Sequence, residues 1–327
     1  MMTFFCVAAG IVLFLLPHII WFVGWVIGRL AGHHLPYFPF LITASALVLV
    51  FGVIVAYGYH IGRWKLKVTE LEYRNAEIPQ AFDGFRIVHI SDIHLSSFEG
   101  HHEKLQRFID SVNSLEPDLI CFTGDLVTIG KSEAEPYTDI LKSMSATHGV
   151  GSVLGNHDFL IYGNRYGNEE QYQKAIDELV DYQKDTLGWH LLRNEHMTIC
   201  LEDGPKITIA GVDNSNSPSQ GFRTVHKGDL KKAVAGVDGF VILLSHEPSH
   251  WRHEVLPETA IPLTLSGHTH RAQFQIFGWN PADLMFSETG GMYHEGGQFI
   301  YVNSGLGCTV PFRIGADPEI TLIKLRS

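Results

Sequence analysis

A chain of 327 residues with 35 acidic against 24 basic side chains carries a formal net charge of -11. That balance argues against a nucleic-acid surface, which needs clustered Lys and Arg, and no basic run with interleaved aromatics occurs. The length accommodates one large domain plus an appendage.

The N-terminal region is the first element. Residues 1–28 contain no Asp, Glu, Lys or Arg, and after Arg29 the next such residue is Arg63. A span needs about 20 apolar residues, so two transmembrane helices are expected, Thr3 to Gly28 and Tyr37 to Tyr59. Gly32 to Pro39 reads as the turn at the interface, and Pro17 should kink the first helix. A cleaved signal peptide would show a basic start and one short apolar stretch; here there are two long apolar blocks. Residues 1–62 therefore read as a membrane anchor, 63–83 as linker and first strand, and 84–327 as the folded domain. Arg63, Lys65 and Lys67 follow the second helix against Arg29 alone at the turn. The excess places the domain in the cytoplasm, with the outer face of the membrane as the alternative.

Beyond the anchor, Lys65 to Arg74 alternates with period two, a strand with one wet face. Asp83-Gly84 turns into a core strand, and Leu105, Phe108, Ile109 and Val112 give helical spacing over Glu103 to Leu115. A second unit runs from a strand at Leu119 through a helix around Tyr137 to Ser145. Glu169 to Gln183 is helical, either a flap beside a site or scaffold, and its stripe of Ala175, Ile176, Leu179 and Val180 suits scaffold. His196 to Leu201 and Lys206 to Val212 form a hairpin around Glu202-Asp203-Gly204-Pro205. A helix over Lys227 to Ala235, a buried strand at Val241 to Leu244, and late strands at Gln298 to Val302 and Glu319 to Leu325 complete the order. Cys6, Cys121, Cys200 and Cys308 show no paired spacing, so no disulfide framework is expected; Cys6 and Cys121 read as buried thiols.

Five short segments stand out: Asp92-Ile93-His94, Gly124-Asp125, Gly155-Asn156-His157-Asp158, His246, and Gly267-His268-Thr269-His270. Each follows an apolar, strand-like run, so loops leaving one sheet edge should bring them to one crevice. Carboxylate, amide oxygen and imidazole without thiolate suit two divalent ions such as Mn, Fe or Zn. The two-residue spacing in Asp92-x-His94 and His268-x-His270 would aim both ligands of a pair to one side if the backbone is extended.

The order Asp-x-His, Gly-Asp, Gly-Asn-His-Asp, His, Gly-His-x-His resembles the calcineurin-like metallophosphoesterase superfamily. Ile90 to Leu95, Pro117-Asp118-Leu119, Leu265 to His270 and Pro318 to Leu322 are similar to its membrane-associated branch. The resemblance covers residues 70–327. It implies an α/β fold, a four-layer αββα sandwich, here preceded by the transmembrane helical hairpin. It also implies one metal at Asp92, His94 and His270, another at Asn156, His246 and His268, and Asp125 bridging them. Two such ions would clamp a phosphoryl group and activate water for in-line attack, so no protein nucleophile is needed. His157 fits a residue that contacts phosphate or protonates the leaving group. Asp158 either orients the His157 ring or caps a turn.

One departure lies inside the last motif. Branch members commonly continue Gly-His-Thr-His with Gly-Gly-Gln, whereas this chain has Arg271-Ala272-Gln273. Arg271 either holds a substrate phosphate or is a solvated surface charge. His101, His102, His250 and His253 read as surface or cap residues, with His101 and His102 the better candidates for substrate contact because their loop starts at Asp92-x-His94.

A hydrolase tethered by two helices points to a phosphate ester or pyrophosphate on a lipid or lipid-linked nucleotide, such as a UDP-diacylglucosamine-type substrate. Phe98, Phe159 to Tyr162, Trp279, Leu284 to Phe286, Met292 and Tyr293 are expected in loops beside the ligands, as an acyl groove or a membrane-dipping surface. The alternative is a broad phosphodiesterase or phosphatase for small soluble substrates. A non-catalytic membrane binding protein would be expected to have lost ligands, and here every expected position is filled.

Overall fold

The computed structural model describes residues 2–163, 166–201, 204–215 and 227–327. Two helices open the chain, α1 (Met2–Leu30) and α2 (Phe38–His60), packed against each other. Both are long and apolar enough to cross a membrane. Their side chains are largely exposed apolar groups such as Ile11, Val12, Ile20, Leu49 and Val53, which water would not tolerate and lipid would. Helix α1 continues through Pro17.

Twelve strands follow among the described residues. The first sheet contains β1 (Lys67–Arg74), β2 (Arg86–Ile90), β3 (Leu119–Phe122), β4 (Val150–Ser152), β5 (His190–Leu191) and the C-terminal β12 (Glu319–Arg326), in the order β1-β12-β2-β3-β4-β5. The second contains β6 (Glu195–Cys200), β7 (Lys206–Gly211), β8 (Val241–Leu244), β9 (Leu263–Ser266), β10 (Gly291–Glu295) and β11 (Gln298–Val302), in the order β10-β11-β9-β8-β7-β6. Strands β2, β3 and β4 run parallel, as do β7, β8 and β9.

Three cores account for the layering. Between the sheets, Ile87, Leu119, Cys121 and Ile323 of one face meet Ile209, Ile242, Leu244 and Leu265 of the other. On the outer face of the first sheet lie α3 (His102–Ser114), α4 (Thr138–Lys142) and α5 (Glu169–Asp181), through Leu105, Phe108, Leu141, Ile176 and Leu179. On the outer face of the second sheet, α6 (Leu230–Ala233) and the turn around Trp251 cover Ala210, Leu243 and Val302. Each buried Leu, Ile or Phe contributes about 1.5–3 kcal/mol, so the sandwich rests on these three clusters. The order is αββα. Helix α5 is scaffold, since Ile176 and Leu179 point into the core.

Several local expectations are corrected. Lys65 to Arg74 starts its strand at Lys67, because Gly62–Trp64 forms one tight helical turn first. The helix expected over Lys227 to Ala235 shrinks to four residues: the Asp229 side chain accepts from Lys232 N and starts it late. Strand β10 was not anticipated; it places Met292 and Tyr293 in an edge strand and not in a loop. The hairpin residues Glu202 and Asp203, and the Cys6 side chain, lie outside the described residues. Cys121 and Cys308 are buried and Cys200 is exposed.

The end of α2 is seated on the folded domain. Arg313 N donates to Gly58 O at 3.2 Å. A Cβ at Gly58 would meet the Phe312 ring at 2.5 Å, and one at Gly62 would run into the Arg313 carbonyl. Absence of side chains at these two positions is what permits the approach. The helix is thus gripped by residues 312–314 just before β12, and continues into β1, the strand beside β12.

Candidate active site

All five expected ligand segments leave the C-terminal ends of parallel strands. β2 leads to Asp92 and His94, β3 to Asp125, β4 to Asn156 and His157, β8 to His246, and β9 to His268 and His270. The loops are stitched together by backbone bonds, Asp92 N to Gly124 O at 2.8 Å, His94 N to Asp125 O at 3.1 Å and Gly267 N to His246 O at 2.9 Å. The motif glycines serve this closeness: a Cβ on Gly124 would meet Gly155 N at 2.5 Å, and one on Gly267 would strike Asp92.

The ligand pairs are not extended, as their spacing had suggested. Asp92, His94, Asp125, His268 and His270 all have left-handed backbone, with φ of 50°, 43°, 58°, 72° and 48°. Side chains two apart converge here because tight turns fold them inward. Non-glycine residues hold such conformations only where the surroundings over-determine them, and they cluster at functional sites.

Among the described residues, nitrogen and carboxylate groups approach within 4.8 Å in three sets, buried except for the half-buried His157 and His268: Asp92, His94 and His270; His94, Asp125 and His157; and Asp125, His246 and His268. Asp125 Oδ2 lies 3.5 Å from His94 Nε2 and 3.2 Å from His246 Nε2, between the two outer sets. Asn156 Oδ1 completes the second, 3.0 Å from His246 Nε2 and 2.8 Å from His268 Nδ1. His94 Nε2 faces His270 Nε2 at 3.2 Å. Two imidazole nitrogens facing each other beside buried carboxylates fit divalent cations well.

Electrostatics agrees with that fit. Burial holds His94 and His268 down to about 3 and His270 well below its ordinary value, so these rings are neutral and offer lone pairs. Burial also opposes charge on His246, but the Asp125 carboxylate outweighs it and pushes His246 up to about 10. Burial opposes charge on Asp125 too, yet His246 and His157 hold it well below the carboxylate range. Burial pushes Asp92 up to about 6. Between pH 6 and 10 the metal-free site therefore carries a proton on His246 that a ligated ring cannot keep. Divalent-metal affinity should rise about tenfold per pH unit across that window, and more steeply below pH 6, where Asp92 also binds a proton. Chelator-competition titrations from pH 6 to 9 measure this, and a flat profile would contradict it.

His157 lines a cavity of about 380 Å³ together with Asp125, Asn156, His268, His270 and Gln273. Its Nδ1 lies 2.8 Å from the Thr128 carbonyl, so Nδ1 carries a proton and Nε2 is the nitrogen left for a substrate. Asp158 does not orient this ring. Its carboxylate turns away and accepts from the backbone N–H groups of Asp125, Leu126, Val127 and Gly155 at 2.8, 2.9, 3.2 and 3.0 Å. It is the turn-fixing group that holds the Asp125 loop against the Asn156 loop.

Other candidates fall outside the cavity. The Arg271 guanidinium packs against Gly290, its Nε donates to Ser304 Oγ at 3.1 Å, and it is not among the cavity-lining residues. His101 lies edge-on to Trp64 and His102 stacks on Tyr137. His250 is buried, contrary to the surface expectation, because Ser245 Oγ and Glu254 Oε2 bracket its ring at 2.9 Å each. Of the expected apolar loops, Phe98, Phe159 and Leu160 are core residues, whereas Tyr162 packs on His157 with ring centroids 4.4 Å apart.

Three supporting residues had no sequence signal. Thr128 orients His157 through its carbonyl, and its Oγ1 lies 3.3 Å from His94 Nδ1 and 2.6 Å from Ser96 Oγ. Glu133 accepts from the N–H groups of Thr128, Ile129 and Gly130 and so shapes that loop. Arg313, fully buried, places Nη2 3.0 Å from His270 Nδ1 and donates to the carbonyls of Ser304 and Ala316. Thr128→Val, which deletes the hydroxyl and keeps the carbonyl, should lower metal affinity or turnover by about 10–100-fold. Metal titration and steady-state rates on the variant check it; wild-type values for both would remove Thr128 from the site.

Comparison with known proteins agrees with this geometry. A family model described as calcineurin-like phosphoesterase matches residues 85–272. An uncharacterized metallophosphoesterase of Bacillus subtilis is 34% identical, over 83% of this chain and 90% of its own. A zebrafish protein named as a transmembrane protein with metallophosphoesterase domain is 30% identical over 87% of this chain, which spans 62% of that protein's length. A UDP-2,3-diacylglucosamine pyrophosphatase of Chlamydia trachomatis is 28% identical, over 86% of this chain and 97% of its own. With a match to more than half its length, the chain belongs to the calcineurin-like phosphoesterase family, whose members are metal-dependent hydrolases of phosphoric esters.

Proposed function

We propose that this membrane-anchored enzyme hydrolyses a phosphate ester or pyrophosphate bond on a lipid or lipid-linked nucleotide. The observation that carries the reading is the course of the cavity. From Asp125, His157 and His270 it runs to Val310 and Phe312, and Phe312 sits on Gly58 at the end of α2. A substrate whose acyl chains stay in the bilayer would present its phosphate to such a cavity. The Chlamydia relative named for a UDP-diacylglucosamine substrate supports the same class.

Asp92, His94 and His270 would hold one divalent ion, Asn156, His246 and His268 a second, and Asp125 would lie between them. Such a centre supplies Lewis acidity towards phosphoryl oxygens and lowers the pKa of water. The chain's own residues do the rest. Thr128 fixes the His157 ring with Nε2 towards the cavity, and a protonated Nε2 donates to the departing oxygen. Asp158 keeps the Asp125 and Asn156 loops in register. Asp92, His94 and His246 are fully buried, so bulk water does not compete for their ligand atoms from the protein side.

The domain lies on the cytoplasmic side in this reading, by the charges after α2. In the folded chain Lys65 pairs with Asp317 at 3.0 Å and Arg63 is buried between the Tyr59 and Trp64 rings. An activity reporter fused to the C-terminus, which works only outside the cytoplasm, tests the assignment; a signal would reverse it. For the substrate, turnover of UDP-2,3-diacylglucosamine in detergent micelles is compared with that of bis(p-nitrophenyl) phosphate, using Asp125→Asn as the blank. Preference for the lipid-linked pyrophosphate supports the proposal. Turnover of the soluble diester alone, unaffected by micelles, would replace it with a soluble-phosphodiester hydrolase.

A further inference from the structure

An apolar outcrop between β9 and β10 has no role in the chemistry. Ile276 and Trp279 close a two-residue hairpin, with Ile276 N to Trp279 O at 3.0 Å and Trp279 N to Ile276 O at 3.1 Å. At its tip Phe277 and Gly278 both have positive φ, 50° and 85°. Such turns favour Asn or Gly at the first position, and an aromatic there is strained. Yet this ring is fully exposed, at 105% of its reference area. Beside it Leu284 is 79% exposed, and Trp279, Met285 and Ile276 are about half exposed or more. The only charged residue in 274–286 is Asp283, whose carboxylate is engaged by Asn280 and Thr289. An uncharged cluster of this kind on a soluble surface marks an interaction site.

Its place in the fold says what it meets. Phe274 bridges to Ile314, and Gln275 N donates to Ile314 O at 2.7 Å. Ile314 and Phe312 are the residues packed on Gly58 at the end of α2. The hairpin is therefore tied, through one short segment, to the point where the anchor leaves the membrane. That segment also supplies Val310 and Phe312 to the cavity wall. We propose that Phe277, Trp279, Leu284 and Met285 form a second membrane contact, lying in the headgroup–acyl boundary of the bilayer that α2 enters. The contact holds the cavity mouth at headgroup level. Aromatic and aliphatic side chains with no basic partner suit a neutral lipid surface as well as an anionic one. This inference rests on the two helices spanning the membrane and deepens the lipid-substrate reading, but its test needs no substrate.

The full chain is placed in phosphatidylcholine nanodiscs with a nitroxide on Phe277→Cys or, separately, Leu284→Cys, in a Cys6→Ser, Cys200→Ser background; Cys121 and Cys308 are buried. A Cys6→Ser chain labelled at native Cys200, on β6 at the sheet edge opposite β10, is the water-facing control. Both hairpin labels are expected to collide more with oxygen and less with a nickel chelate than the control, equally with and without phosphatidylglycerol. Water-like collisions at both positions would overturn the proposal, as would spin–spin broadening that reports a second copy of the chain. Phe277→Asp, Trp279→Asp should leave soluble-diester turnover within about twofold and lower lipid-substrate turnover about tenfold or more. If the labels insert but no lipid substrate is hydrolysed, the membrane contact stands and the lipid-substrate reading fails.

Discussion

Asp125→Asn is expected to abolish hydrolysis while leaving the fold in place. Asp125 lies between the two outer ligand sets, with Oδ2 3.5 Å from His94 Nε2 and 3.2 Å from His246 Nε2, and its Oδ1 accepts from His157 N at 2.8 Å. An amide of the same shape keeps that one acceptor but loses the negative charge that balances His246 and would balance two cations. Outer groups that merely orient ligands cost about 10–100-fold when removed, so loss of a carboxylate that would serve both ions should exceed about a hundredfold, with metal content reduced. His246 also loses the carboxylate that raises it to about 10, so it becomes neutral at lower pH and the pH dependence of metal binding flattens. Metal analysis and turnover of the anchored variant, with circular dichroism to show that it folds, measure this. A fully active Asp125→Asn enzyme would remove the dinuclear assignment altogether.

That the seven expected ligand residues would come together was legible because each type is rarely used in that pattern for packing, and because each segment follows an apolar strand. Loops at the C-terminal ends of parallel strands must converge, so chain order alone was enough to bring them together. How they converge was not legible. The left-handed backbone at Asp92, His94 and His270 comes from loop-to-loop hydrogen bonds between segments far apart in sequence, which local spacing does not encode. Of the two alternatives the sequence left for Asp158, the structure shows the turn cap, for a related reason. Adjacency to His157 suggested a pair, but the turn sends its carboxylate to N–H groups about thirty residues earlier in the chain. Thr128 and Arg313 contact the expected ligands His94 and His270, 34 and 43 residues away, and no residue type at those positions advertises it. Edge strand β10, which begins at Gly291 and is flanked by Gly290, Gly296 and Gly297, lacks the apolar run that marked the central strands. The apolar helix pair was readable from its missing charges, whereas the approach of Phe312 and Arg313 to Gly58 and Gly62 joins segments far apart in the chain and leaves no local signal.

His157→Ala should separate acid catalysis from metal binding. The ring is within reach of His94 and Asp125, so proximity alone would allow it to be a ligand. Its hydrogen bonding argues otherwise: Nδ1 is committed to the Thr128 carbonyl, and Tyr162 packs on one face of the ring. What remains is one nitrogen on the cavity side, the arrangement a proton donor to a leaving oxygen requires. Removing it should cost about 10²–10⁴-fold in turnover with metal content near that of the native enzyme. The loss should depend on the leaving group. An alkyl phosphate ester, whose alkoxide needs a proton as it departs, should suffer the full effect. A nitrophenyl ester, whose anion leaves without one, should suffer little. Equal losses for both would assign His157 to phosphate binding, and loss of bound metal would move it into the ligand set, with the role of Thr128 reinterpreted as fixing a ligand and not an acid.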